Sequence, residues 1–182
     1  VTLTATADTG WTFQDWSGDV SSGDNPLILT ITGDTTVTAT FVEEGYALTV
    51  DIVGNGSVAA EPDRATYAYG EVVTLTATAD PGWAFSDWSG DVSSGDNPLV
   101  LTITGDTAVT ATFVEEAYTL TVDIVGNGSV AVEPDRATYT HGDVVTLTAT
   151  ADTGWTFQGW SGDVSSADNP LTLTITGDTA VT

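Results

Sequence analysis

The side chains best equipped for chemistry in this 182-residue chain are its carboxylates. Asp19, Asp24 and Asn25 share one short loop, Asp-Val-Ser-Ser-Gly-Asp-Asn. The set returns 72 residues on as Asp91, Asp96 and Asn97, and again as Asp163, Asp168 and Asn169. Hard cations take several oxygens from carboxylates, amides and carbonyls, so these residues are candidate calcium ligands. Their spacing matches no EF-hand loop. Asp and Asn also cap turns through side-chain hydrogen bonds to the backbone, and capping is the plainer reading.

Catalytic groups are scarce. The single histidine is His141, and the equivalent place in the preceding copy holds Tyr69. A Ser-His-Asp arrangement would therefore exist in one copy at most, and His141 reads as an exposed loop residue. Carboxylate pairs arise by chance among 26 acids, and glycosidase chemistry also needs a substrate cleft. An enzyme is not expected. With no Lys, a Lys–Asn isopeptide crosslink is excluded, and Gln14 and Gln158 have Ser86 as their counterpart, so a Thr–Gln ester cannot recur in every copy. The absence of Cys removes disulfides and thiolate chemistry.

Two further groups invite a functional reading. Trp11, Trp83 and Trp155 each begin a Trp-x-Phe-x-x-Trp cluster. Exposed indole faces would stack on sugars, whereas core packing needs the same residues. Arg64 and Arg136 stand alone among acids. Each is either a local surface ion pair, worth little, or a bridge to carboxylates such as Glu115 or Glu116 of a neighbouring repeat.

Charge narrows the partners. The formal net charge is −24, and residues 46–117 hold eleven acids against one arginine. Nucleic acid, which needs cations to displace its counterions, is excluded, and an anionic membrane surface is disfavoured. No apolar run approaches a membrane span.

The elements that must hold these residues are themselves repeated. Val1–Asp8 returns at Val73–Asp80 and Val145–Asp152, and only seven columns vary across 1–38, 73–110 and 145–182. Such self-similarity marks a repeat architecture. The phase gives the C-terminal part of one repeat (1–45), a complete repeat (46–117) and a repeat lacking its last strand (118–182), read as a window on a longer array. Within a repeat, period-two alternation such as Val73-Thr-Leu-Thr-Ala-Thr-Ala predicts half-buried strands. The complete repeat should hold about six, over 46–53, 57–61, 72–79, 83–88, 99–104 and 107–114. Gly54-Asn55-Gly56 reads as a tight hairpin turn, and Gly105-Asp106 as another. Ser89–Pro98 has room for one short helical turn at most. The expected fold class is all-β: small modules, each a compact sandwich or β-grasp-like, arranged as beads in a linear array.

The motifs Tyr-x-Leu-Thr-Val, Gly-Asn-Gly-Ser-Val, Gly-Trp-x-Phe-x-x-Trp-Ser-Gly, Asp-Asn-Pro-Leu and Val-Thr-Ala-Thr-Phe occur in order along the chain. In these the chain resembles the divergent internalin B-repeat family, tandem modules of secreted and surface proteins of bacteria. The resemblance implies a β-rich unit related to β-grasp modules, serving as spacer, stalk or adhesive segment, with no catalytic residues to carry over. The expected function is a structural segment of an extracellular or cell-surface protein. Its partners would be neighbouring repeats, or other copies in a filament built on exposed strand edges. A glycan- or ligand-binding adhesive module is the alternative, and calcium is the one cofactor worth testing.

Overall fold

A computed structural model describes residues Val1–Thr182. It is all-β, with no helix. The first repeat supplies β1 (Thr2–Leu3), β2 (Trp11–Gly18), β3 (Leu27–Ile28) and β4 (Val37–Glu43). The middle repeat supplies β5 (Leu48–Val53), β6 (Gly56–Glu61), β7 (Val72–Ala79), β8 (Trp83–Gly90), β9 (Leu99–Thr102) and β10 (Thr107–Glu115). The third supplies β11 (Leu120–Val122), β12 (Gly128–Glu133), β13 (Val144–Ala151), β14 (Leu171–Thr174) and β15 (Thr179–Val181). In the middle repeat the alternating Thr runs thus form strands close to where period two predicts them, whereas the same run in the first repeat forms only Thr2–Leu3. Ser89–Pro98 holds a β-bridge, Trp88 to Ser94, and no helical turn.

The turns do something the sequence does not announce. The sheets run β6-β7-β9 and β5-β10-β8 in the middle repeat, and β12-β13-β14 and β11-β15 in the third. Strands joined by Gly54-Asn55-Gly56 or Gly105-Asp106 therefore lie in different sheets. These turns are crossovers, not the ladder hairpins that the Gly-Asn-Gly signal suggests. The reason is burial. A two-stranded ribbon leaves an apolar face wet, whereas crossing at the turn lets the inward faces of two sheets meet.

Contact density divides the chain into two compact units whose limits fall inside the repeats. One comprises Val1–Asp51, Val58–Ala77 and Asp87–Ala111. Its buried residues include Trp16, Tyr67, Val73, Leu75, Trp88, Leu99, Leu101, Ile103 and Val109. The other comprises Ile52–Ser57, Thr78–Ser86 and Thr112–Thr182. There Val145, Leu147, Leu171 and Leu173 of one sheet pack with Val181, Leu120 and Val122 of the other, around Tyr139, Trp160 and Ile175. β12 pairs with β13, and β13 with β14, antiparallel, whereas β11 and β15 run parallel.

A bulge sets the aromatic cluster. Trp11-x-Phe13-x-x-Trp16 has an odd step that would put Phe13 and Trp16 on opposite faces of a regular strand. The β2–β4 register shifts between Phe13 and Asp15. The extra residue, Gln14, turns both rings to one side, where their centroids lie 5.3 Å apart.

Candidate inter-repeat joint

The acidic loops are tied down by their own backbone. Asp19, Asp91 and Asp163 each accept, through Oδ2, a backbone N–H from Thr36, Ala108 and Ala180 at 2.7, 2.7 and 2.8 Å. The carbonyls of Asp24, Asp96 and Asp168 accept the indole N–H of Trp16, Trp88 and Trp160 at 2.8–2.9 Å. Asn97 pairs both amide atoms with the backbone of Ala77, at 2.9 and 2.8 Å. Asn25 and Asn169 do the same with Ala5 and Ala149. These are capping and strand-anchoring bonds, and no group of three or more His, Asp or Glu side chains converges to hold an ion.

The second Trp of each cluster is core: Trp16, Trp88 and Trp160 are 7, 1 and 5% exposed. The first is not, with Trp11 at 45% and Trp155 at 51%. Beside Trp155 the third repeat has a groove of about 370 Å³, lined also by Asn127, Gly128, Phe157 and Gln158. In the middle repeat the equivalent glycines, Gly54 and Gly56, instead abut the carbonyl and ring of Phe113. The arginines pair within their own repeats, Arg64 with Glu71 at 2.7 Å and Arg136 with Asp143 at 3.2 Å.

What joins successive repeats is a different set. Gly10 of the first repeat is buried, with φ +80°, and a Cβ there would lie 2.5 Å from Cβ of Tyr69 in the next. The Glu44 N–H donates to the Gly10 carbonyl at 2.7 Å. Within the middle repeat, Tyr46 is fixed to Tyr67 by a reciprocal backbone pair, both bonds 2.9 Å. Its phenol donates to Glu44 Oε2 at 2.6 Å, and its ring meets Tyr69 edge-on at 6.4 Å.

The arrangement is repeated 72 residues on. Gly82 is buried with φ +82° against Cβ of His141, and the Glu116 N–H donates to the Gly82 carbonyl at 2.7 Å. Tyr118 pairs with Tyr139 within the third repeat, both bonds 2.8 Å, and donates its hydroxyl across the boundary to Glu116 at 2.9 Å. The third copy, Gly154, keeps φ +89° but is exposed and has nothing within 4 Å. Among the residues singled out from sequence, Glu116 does reach this joint, through its N–H and its carboxylate, whereas Glu115 is exposed on β10. Gly10, Gly82, Tyr69 and the inter-repeat role of His141 were not legible as a set. The usable signal was a glycine kept before each first Trp and an aromatic kept before Gly70 and Gly142.

The electrostatics of the joint are those of acids beside phenols. The hydrogen bond to Glu44 pushes the Tyr46 phenol above its usual range, aided by desolvation and that carboxylate's charge. Glu116 does the same to Tyr118. Nearby, the Thr119 N–H and hydroxyl bond to Asp178 at 2.8 and 3.0 Å and hold its carboxyl below the usual range.

Fold and repetition together define a class: tandem small β modules, with a glycine set against an aromatic loop at each boundary. The family model described as the divergent InlB B-repeat domain matches residues 1–45, 46–117 and 118–182, and the chain belongs to that family. No curated protein and no solved structure matches it.

Proposed function

We propose that this chain is a structural segment of an extracellular or cell-surface protein, acting as a spacer or stalk in which reach is set by the number of repeats. The carrying observation is the joint. A buried glycine against an aromatic side chain and a tyrosine hydroxyl bonded to a glutamate cross from each repeat to the next, and the same set recurs at both junctions. Only four residues, 44–47 or 116–119, separate the last strand of one repeat from the first of the next, which leaves little slack. Stiffness in such arrays is a nearest-neighbour property, so a joint made the same way each time suits a mechanical role. The family's association with bacterial surface proteins supports the location.

The test is small-angle scattering on the chain and on a Gly10→Val, Gly82→Val variant. The proposal expects a narrow distribution of end-to-end distances that broadens in the variant while far-ultraviolet dichroism is retained. A parent chain already as broad as the variant sinks it.

A further inference from the structure

The five asparagines of the chain fall into two classes that differ in backbone chemistry. Asn25, Asn97 and Asn169 precede proline, and Asn55 and Asn127 precede glycine. An asparagine amide is open to attack by the backbone nitrogen of the following residue, which is why asparagine counts among thermolabile residues. Proline nitrogen carries no proton to give up, so the first class lacks the nucleophile. Their amides are also held at both ends by the backbone of Ala5, Ala77 and Ala149.

The second class has neither protection. Asn55 and Asn127 are exposed at the crossover turns before β6 and β12. Neither side chain is held by a hydrogen bond of the kind that fixes Asn97. In the third repeat, Gly128 stands opposite Ala151, and the adjoining ladder bond runs from the Asp152 N–H to the Asn127 carbonyl at 3.2 Å. That pattern marks a non-hydrogen-bonded pair, so the Gly128 nitrogen is not used by the β12–β13 ladder. The middle repeat has the same bond, from Asp80 to Asn55 at 3.3 Å.

The glycines cannot be exchanged for slower residues. A Cβ on Gly56 would lie 2.6 Å from the Phe113 ring, and one on Gly128 2.6 Å from the Thr150 carbonyl. Packing therefore keeps a glycine, whose nitrogen is the least shielded, after each of these exposed asparagines.

We propose that Asn55 and Asn127 are sites of spontaneous modification, in which the following glycine nitrogen closes on the side-chain amide. The Gly56 nitrogen loses its proton to solvent and forms a bond to Asn55 Cγ. The Cγ–Nδ2 bond breaks, and the amide nitrogen leaves as ammonia. Water then opens the cyclic imide at either carbonyl. The products are aspartate, or an isoaspartyl link that adds one methylene to the main chain. The net reaction consumes water and releases ammonia, with no oxidant. Each event adds a negative charge to a chain already at −24. It does so next to Trp83-facing Gly54 in the middle repeat, or Trp155-facing Gly126 in the third.

The experiment incubates the purified chain at mildly alkaline pH and follows intact mass, isoelectric focusing and peptide maps. Two successive gains of about 1 Da, the difference between an amide and an acid, should appear with two acidic steps. Both should map to Asn55 and Asn127 and none to Asn25, Asn97 or Asn169. An Asn55→Ser, Asn127→Ser chain should show neither step. No gain over the time in which an unstructured Val-Gly-Asn-Gly-Ser peptide converts would overturn the proposal, and so would gains at the proline-flanked asparagines.

Discussion

Gly82 and Gly154 share a backbone conformation and differ in what they touch. Both have positive φ, so alanine at either pays a left-handed penalty of about 1–2 kcal/mol. Only Gly82 also meets His141, and forcing a methyl into a closed contact adds about 1–3 kcal/mol. Gly82→Ala should therefore lower stability more than Gly154→Ala, read as the difference in urea midpoints. Equal losses would mean that the joint bears no load. A second residue-scale comparison is built into the chain. A hollow of about 320 Å³ beside Ala60 is lined also by Leu48, Val50, Val58 and Tyr67. The third repeat has Val132 at the equivalent place, packed on its core. Ala60→Val should raise stability by about 0.5–2 kcal/mol, as cavity filling commonly does, and an unchanged thermal midpoint would refute it.

At the scale of elements, the joint should respond to alkali. The Tyr46 and Tyr118 phenols are raised by their bonds to Glu44 and Glu116, so the protonated form is the one the fold favours. Their contribution is fully present below the ordinary tyrosine pKa of about 10 and is lost as pH rises through the higher folded values. Protection of the Tyr118 and Tyr139 amides, taken relative to free-peptide exchange at the same pH, should fall above that range, and Tyr118→Phe should show the lower protection at neutral pH already. Protection indifferent to both changes would place the strength of the joint elsewhere. The strands themselves were legible, because Thr alternating with Val, Leu and Ala leaves one partition of each run between water and core. The bulge at Gln14 was readable too, from the odd spacing of Phe13 and Trp16. What local pattern could not carry was the destination of each turn. Gly-Asn-Gly permits a reversal but does not say whether the next strand joins the same sheet, since that depends on partners such as β7 and β10, far along the chain. The joint was hidden for the same reason: Gly82 and His141 meet only after both repeats have folded.

For the molecule as a whole, charge and repetition act together. With 26 acids and two arginines, and both arginines held in local pairs, exposed carboxylates repel one another over about a Debye length, roughly 10 Å at 0.1 M salt. Raising the ionic strength should lower the second virial coefficient measured by light scattering, with divalent cations acting at lower concentration than sodium. A coefficient insensitive to salt would show that repulsion between chains is not charge-borne.

The joint also bears on how such a chain changes over generations. Its two halves sit at the same distance along the sequence in both copies, so recombination between misaligned copies in register returns a chain in which every glycine still meets its aromatic loop. Length can then be gained or lost by whole repeats in one genetic step, without any compensating substitution at the boundary. A chain of that construction changes its length as readily as a word is lengthened by repeating a syllable.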